Sequence, residues 1–388
     1  MSSSTFVPVP GFRRFWAVIT LLGALVLIVC LAVNQQRVWA GSLLIAFYIV
    51  SLGLGGAVFL ALTSVTGAGW HVAFRRIPEA MTQLLPAGGI ALWTLLFLQK
   101  DRYGWHHHGT GDAGTFAFKE FWLSSGFLLA RAAGCLLVWV LFSKMLVAAS
   151  RRRDAGTRAA SARMNPLPSV LFLMVFAITF SVASIDWIMA LEPLWFSTVW
   201  AVYHFAGMFM GVLAVIIISG ILLRRHGIMA NAFRDEHLHD LAKLLLGFSC
   251  FWMYIWFCQY MLIWYSNIPE ETSYYLERVN GSWGPMTLAS LALNWGIPFL
   301  VLLPRPNKRS ESMMLRVAGV ILIGRWVDLS VMIYPPVIGD APALGIPELA
   351  TMFTGVGIVM YLLTSAFAKA NPIPIHDPFL EESLHYST

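Results

Sequence analysis

The chain has 388 residues, of which 58% are hydrophobic and 12% are charged, and its net charge at pH 7 is +6. Soluble domains carry about 25% charged residues, so this composition excludes an ordinary soluble protein. It predicts an all-α polytopic membrane protein whose short loops leave no room for a soluble domain.

Hydrophobic runs long enough to cross a bilayer recur along the whole chain. A bilayer core of roughly 30 Å requires about 20 apolar residues per helix. The first run carries Arg13 and Arg14 at its start, as a signal peptide would, but it is too long for one and is predicted to be a retained helix. Ten runs are found, at about 12–33, 41–64, 78–98, 122–148, 168–190, 197–223, 240–266, 282–303, 313–334 and 346–369.

These spans predict a single membrane domain over residues 1–388, with about ten transmembrane helices and no obvious sequence repeat. The expected organisation, in chain order, is a peripheral helix (12–33), a first four-helix bundle (41–190), a second four-helix bundle (197–334), another peripheral helix (346–369) and a cytoplasmic tail (370–388).

The basic residues predict the orientation. Of the 26 Lys and Arg residues, Arg131 and Arg325 lie within spans and five lie in predicted outer segments, which leaves 19 on the inner side. The five outer residues are Arg37, Lys100, Arg102, Lys119 and Arg278. This asymmetry predicts that both termini are cytoplasmic. The positive charge therefore reflects topology and contact with anionic lipids, and nucleic-acid binding is not expected.

Two groups of residues that often bind metals or cofactors do not have the required spacing. The outer loop 99–121 contains His106, His107 and His108, but adjacent side chains cannot converge on one ion, so a solvated or partner-contacting loop is favoured. The four cysteines are scattered in apolar helices, without an iron–sulfur or haem-attachment motif: Cys30, Cys135, Cys250 and Cys258. We therefore expect no covalently bound cofactor, and any redox centre should belong to another subunit.

Ionisable residues within spans are expensive, at roughly 2.5–3.5 kcal/mol each near a helix centre, and so they are functional candidates. Arg325 and Asp328 lie three residues apart on one face and are expected to neutralise each other. The proposed proton path comprises Asp186, His204, Glu192, Glu270, Glu271, Asp328, Arg325, Arg131 and Lys243.

Asp186 and His204 form the main mechanistic hypothesis within that set. They lie at similar depth near the outer ends of consecutive antiparallel spans. A carboxylate beside an imidazole can exchange a proton near neutral pH, whereas the alternative is a hydrogen bond that bridges the two helices.

The run Ser249 to Glu271, SCFWMYIWFCQYMLIWYSNIPEE, is unusually aromatic. Trp and Tyr at helix ends are typical of the membrane interface, but Trp252, Trp256 and Tyr260 lie deeper. These three side chains are candidates for stacking against a quinone ring, and ordinary helix packing is the alternative.

Two long segments carry a family resemblance. They are SIDWIMALEPLWFSTVWAVYHFAG (184–207) and HDLAKLLLGFSCFWMYIWFCQYMLIWYSNIPEET (239–272). The matching features are Asp186-Trp187, Leu191-Glu192-Pro193, Trp195-Phe196-Ser197-Thr198, Asp240-Leu241, Lys243 and Ile268-Pro269-Glu270-Glu271. With them the chain resembles the second quinone-binding subunit of alternative complex III, a bacterial quinol:cytochrome c oxidoreductase, which is of the NrfD/polysulfide-reductase type.

The resemblance implies a set of partners: a sister NrfD-like subunit, an iron–sulfur subunit, multihaem cytochrome c subunits and a terminal oxidase. Haem c and the iron–sulfur clusters would then reside in those partners. It also implies that the sister subunit is the better-supported site of quinol oxidation. This chain would contribute scaffold, quinone contact and a proton path.

Two other functions remain open. The chain is also compatible with the membrane anchor of another NrfD-type reductase, which would associate with a molybdopterin subunit. A secondary transporter is the third hypothesis, because transporter folds often contain broken helices, and NWGIP (Asn294 to Pro298) is a candidate break.

Overall fold

The structure is a computed structural model that describes residues 10–100, 121–154, 166–192, 195–340, 344–369 and 371–387. Within these ranges every element is helical and there is no β-strand. The loop with His106, His107 and His108, and Pro193 of the resemblance motif, lie outside the described residues. Below, "inner" and "outer" denote the sides predicted from the basic residues.

The helices follow the hydrophobic runs closely. Their bounds are α1 Pro10–Val33, α2 Gln35–Val65, α3 Arg76–Met81, α4 Leu84–Leu98, α5 Ser125–Asp154, α6 Leu167–Trp187, α7 Trp200–Arg225, α8 Asp235–Ser266, α9 Pro269–Val279, α10 Gly284–Leu291, α11 Ile297–Leu302, α12 Arg305–Arg309, α13 Glu311–Ile333, α14 Pro335–Ile338, α15 Ile346–Phe367 and α16 Leu380–Leu384.

In the described part of the chain, nine helical segments are long and apolar enough to cross a membrane. The predicted run 313–334 corresponds to α13, which has a suitable length but is not among the nine. The reason is its charge, because Arg316, Arg325 and Asp328 all lie within this helix. The protein is therefore an all-α polytopic membrane protein, and α13 is also the helix that carries the buried ion pair described below.

Two helices form the centre of the packing. In their most apolar windows, 89% of the residues of α2 and 83% of those of α7 are buried within the protein. Glycines allow this close approach: a Cβ on Gly53 would lie 2.7 Å from the Leu85 amide nitrogen, and one on Gly56 would lie 2.8 Å from the Pro78 carbonyl oxygen. In contrast, α1 packs along α15 and has only 6% of its window buried, so most of its surface is left for lipid.

The predicted break at NWGIP is a π-helical segment, Ala292–Gly296, between α10 and α11. Pro298 has no N–H to donate to the carbonyl of Asn294, four residues earlier. That carbonyl instead accepts a hydrogen bond of 2.6 Å from the hydroxyl of Ser249 in α8. A neighbouring helix thus satisfies the backbone group that the proline leaves unpaired, as a lipid environment requires.

Residues 371–387, here called the inner strap, pack against the inner ends of the helices. The Ser383 hydroxyl donates to the Trp70 carbonyl at 2.6 Å, and the Ser383 carbonyl lies 3.0 Å from Nε2 of His237 in α8. Asp377 forms an ion pair of 2.5 Å with Arg75. Burial raises the pKa of Asp377, but Arg75 and the Phe379 amide outweigh burial and hold that pKa below its ordinary value. The strap therefore joins the α2–α3 connection to α8.

Candidate functional site

An almost completely buried ion pair lies within α13. Nη1 of Arg325 is bonded to Oδ2 of Asp328, three residues later, and these side chains are 1% and 4% exposed. Nη2 of Arg325 lies 3.1 Å from Nδ1 of His204 in α7, which is completely buried. The pairing expected from the sequence is therefore present, and it includes a third group from another helix.

The second oxygen of the Asp328 carboxylate also has partners. Oδ1 accepts a hydrogen bond of 2.5 Å from the Tyr203 hydroxyl and a longer one of 3.4 Å from the Ser290 hydroxyl. Because a buried charge is tolerated only when it is paired and hydrogen-bonded, these donors allow an ionised carboxylate inside the protein. His204, Arg325, Asp328, Tyr203 and Ser290 are called the central network below.

The space for the Arg325 guanidinium is provided by Gly207 in α7. A Cβ at this position would lie 2.5 Å from Nη1 and 2.6 Å from Cζ of Arg325. Gly207 is one turn from His204, so the same face of α7 supplies both the gap and the imidazole. The sequence around His204 therefore fits the guanidinium group sterically as well as electrostatically.

The central network borders a small cavity on its outer side. This cavity has a volume of about 20 Å³, and its lining includes Tyr203, Ser290, Asp328, Gln259 and Arg278. A polar cavity of this size holds about one water molecule. Asp328 is the one carboxylate that lines the cavity among the described residues.

Arg278 connects this cavity with the outer surface. Its Nη2 donates to Oε1 of Glu192 at 2.6 Å, and its Nε donates to the Val331 carbonyl at 2.9 Å. The Arg278 side chain is 2% exposed, whereas that of Glu192 is 17% exposed. Asp328, the cavity, Arg278 and Glu192 therefore form a polar route towards the outer side.

Asp186 has a different set of partners from those expected. It accepts hydrogen bonds from Nε1 of Trp122 at 2.8 Å and from Nε of Arg131 at 2.9 Å. The Arg131 guanidinium also lies over the rings of Trp122 and Phe127, at 4.1 and 4.3 Å from their centroids. Asp186 thus connects α6 to α5, and Arg131 is its counter-ion.

The structure contains no direct hydrogen bond between Asp186 and His204, both of which are described. The physical reason is helix rotation, because consecutive residues of a helix point about 100° apart. Trp187, next to Asp186, is the residue that faces inward; its ring contacts Phe47, which in turn contacts His204 at a centroid distance of 5.3 Å. The rings of Trp187 and Phe47 therefore lead from α6 to His204, where the sequence suggested a direct contact between Asp186 and the imidazole.

The remaining candidates of the proposed path lie apart from the central network. Lys243 is paired with Asp240 at the inner end of α8, and Asp240 also accepts a hydrogen bond from Tyr386 of the inner strap. Glu270 and Glu271 occupy the first turn of α9, where carboxylates favour the helix N-terminus.

The three aromatic candidates lie in contact with other rings of the protein. Trp252 is completely buried, and its ring lies 5.5 Å from that of Tyr203 in the central network. Trp256 and Tyr260 stack on each other at 5.5 Å with an interplanar angle of 4°. Trp256 also lines the small cavity, so part of the aromatic run borders the polar route.

Sequence reasoning missed four residues of this site: Tyr203, Ser290, Gln259 and Arg278. Arg278 was counted as an outer basic residue, because nothing in the local sequence indicates Glu192, 86 positions earlier, as its partner. The described residues contain no group of three or more His, Cys, Asp or Glu side chains that could hold a metal ion.

Comparison with known proteins does not assign the chain to a family. No family model matches the chain, and no curated protein sequence matches it.

Proposed function

We propose that this chain is an integral membrane subunit of a respiratory quinol:cytochrome c oxidoreductase of the alternative complex III type. In that complex it acts as scaffold and provides part of a proton path to the outer side. The observation that carries the proposal is Asp328, a buried carboxylate that lines a cavity leading to Arg278 and Glu192. Ionisable groups of this kind are retained inside membranes mainly where ions, protons or substrates pass.

Within the proposed path, Asp328 is the group that takes up the proton. Arg325 cannot be deprotonated in proteins and acts as a fixed positive charge. Because a guanidinium only donates, Nδ1 of His204 accepts from Arg325, and the ring proton of a neutral His204 is then on Nε2. Tyr203 and Ser290 keep the carboxylate oriented towards the cavity, from which a water molecule can carry the proton outward.

The redox centres of the proposed complex belong to its other subunits. These are an iron–sulfur subunit and multihaem cytochrome c subunits, with a sister NrfD-like subunit as the main site of quinol oxidation and a terminal oxidase as a further partner. A quinone near this chain would approach Trp256 or Tyr260, which are partly exposed, whereas the predicted contact Trp252 is completely buried. The two long segments quoted above support this assignment, because they combine many specific residues over positions 184–207 and 239–272.

Purification in mild detergent tests the assignment. The complex should be isolated through a tag on this chain, separated on a gel, stained for haem and identified by mass spectrometry. We expect multihaem cytochrome c subunits to copurify, and we expect the isolated subunit to show neither a haem spectrum nor an iron–sulfur EPR signal. Copurification of a molybdopterin subunit instead would support the anchor of another NrfD-type reductase.

A secondary transporter remains the second candidate because of one observation, the π-helical segment Ala292–Gly296. Transporters often bind substrates where a helix is interrupted near the middle of the membrane. Isolation of this chain without redox partners, together with solute uptake by proteoliposomes that contain it alone, would replace the respiratory proposal with this one.

A further inference from the structure

Gln259 in α8 is a polar residue of the small cavity to which the proposed function gives no role. It is 5% exposed, and its side chain lines the cavity together with Asp328. Among the described residues, its Nε2 has no hydrogen-bond partner. A buried polar group that is left unpaired costs about 1–3 kcal/mol. The burial of Gln259 therefore indicates that a partner for its amide lies in the cavity.

Several other polar groups around the cavity already have partners within the protein. Nη1 of Arg278 donates to the Tyr274 carbonyl at 3.0 Å, and the Thr287 hydroxyl donates to the Arg278 carbonyl at 2.6 Å. Of the described side chains that line the cavity, Gln259 is the one with a fully buried polar atom that lacks a partner. The hydrogen bond that remains to be formed at this cavity is therefore that of Gln259.

The size of the cavity limits what this partner can be. A volume of about 20 Å³ holds about one water molecule and is too small for a quinone ring or a lipid headgroup. A buried water molecule needs about two to four polar partners. Gln259 offers the first. Oδ1 of Asp328 offers the second, because its hydrogen bond with the Ser290 hydroxyl is long, at 3.4 Å, and leaves room for a closer donor.

The carboxamide of Gln259 can present a donor to this water without a change in packing. Its two ends have nearly the same shape, and a half-turn about the last side-chain bond exchanges Nε2 and Oε1. A carboxamide does not titrate, so it holds a water molecule equally at every working pH and does not retain the proton itself. The water accepts one hydrogen bond from Nε2 and keeps its second lone pair for Asp328.

We propose that Gln259 is a positioning residue, which holds a single water molecule in the small cavity in hydrogen-bonding contact with Asp328. The role of this water in proton transfer rests on the proposed function, whereas the water site itself does not. When protonated Asp328 releases its proton, the O–H bond of the carboxyl group breaks and the proton binds to the second lone pair of the water. One of the water's own protons passes outward towards Glu192 in the same step, so the water stays neutral and Asp328 becomes a carboxylate.

The test uses the isolated complex. Gln259→Met keeps the length of the side chain but removes its amide, and Gln259→Asn retains the amide on a shorter side chain. Gln83→Met is the matched control, because it makes the same chemical change at an exposed residue whose side chain forms no capping hydrogen bond at the start of α4. Cryo-electron microscopy at a resolution that shows ordered water reports the site, and turnover measured in H₂O and in D₂O reports the proton step.

We expect density for one water molecule between Gln259 and Asp328 in the parent and in Gln83→Met, and no such density in Gln259→Met. Turnover of Gln259→Met should fall by about tenfold, the effect of one lost hydrogen bond, and the ratio of its rates in H₂O and D₂O should rise. Gln259→Asn should recover part of the turnover. Gln83→Met should stay within about twofold of the parent, as is usual for surface substitutions.

Absence of the water from the parent, or its unchanged presence in Gln259→Met, would overturn the proposal. If Gln259→Met loses the water but keeps full turnover while Asp328→Asn is slow, the positioning role is wrong. If both of these variants keep full turnover and Gln259→Met still loses the water, the water site stands and the proposed proton path fails. If the chain purifies without redox partners, the water density alone decides whether Gln259 holds the site.

Discussion

Arg325 contacts two ionisable side chains at once. Its Nη1 is bonded to Asp328 in the same helix, and its Nη2 lies 3.1 Å from Nδ1 of His204 in α7. The guanidinium therefore neutralises Asp328 within α13 and also connects α13 to α7. Any change at Arg325 should affect stability and the proposed proton path together, so the two effects have to be separated by the choice of variants.

The first prediction concerns the ion pair. Arg325→Leu or Asp328→Leu leaves an uncompensated buried charge, which costs about 3–5 kcal/mol, whereas removing both charges costs less. We expect the membrane level and the melting temperature of the double variant to exceed those of both single variants. A double variant no better than the worse single one would refute the pairing.

The second prediction concerns the space for Arg325. Gly207→Ala places a methyl group against the guanidinium and should lower the free energy of unfolding by about 1–3 kcal/mol. Gly247→Ala is the matched control: a Cβ at Gly247 in α8 meets no atom within 4 Å, so the gain in helix propensity of up to about 1 kcal/mol should be retained. Melting temperatures of the two purified variants should move in opposite directions; equal shifts would contradict the prediction.

The third prediction separates two buried aspartates. Asp328→Asn keeps the size of the side chain but removes the proposed proton carrier, so turnover and proton release of the complex should fall by roughly 10²-fold, the usual contribution of an acid–base group. Asp186→Asn, in the cluster with Arg131 and Trp122, should change activity much less if that cluster is a structural tie.

Both variants must assemble with normal cytochrome content for this comparison to hold. If Asp186→Asn slows turnover and proton release while Asp328→Asn does not, the relay uses the acid first suggested by the sequence. Full activity in both would leave the chain as scaffold.

The fourth prediction concerns acid stability. The pKa of His71 is lowered to about 3 by burial and by Arg75, whereas an unfolded histidine has a pKa of about 6.5. Between these values the unfolded chain binds more protons, so the free energy of unfolding falls as the pH drops through that interval. His71→Asn should flatten the dependence of the melting temperature on pH between about 6.5 and about 4.5. An unchanged slope would mean that His71 is not the responsible group.

Predictions from the sequence are confirmed where they depend on residues that are close together in the chain. The spans follow from long apolar runs, and the Arg325–Asp328 pair follows from the separation of three residues on one helix. The positions of Asp186 near the end of α6 and of His204 near the start of α7 could be read in the same way. Their orientation about the helix axes could not, because it depends on which face of each helix its neighbours bury.

The rest of the site depends on contacts between distant parts of the chain. Arg278 reaches Glu192, and Tyr203 reaches Asp328, 125 positions away. No spacing rule predicts such pairs, since they arise only when helices from different hydrophobic runs pack together. The inner strap is similar: the sequence predicts only a cytoplasmic tail, yet Asp377 and Ser383 are buried.

The π-helical segment has a consequence for how the chain tolerates insertions and deletions. Its wide turn sets the angular position of Ser290, just before it, relative to α11 after it. The wide turn already holds one residue more than an α-helical turn, so inserting a further residue into it would turn one half of this span by about 100° relative to the other. Ser290 would then point away from Asp328, and the Asn294 carbonyl would leave Ser249. Insertions should therefore be accepted in the surface loops and rejected here, although the segment contains no charged residue to mark it.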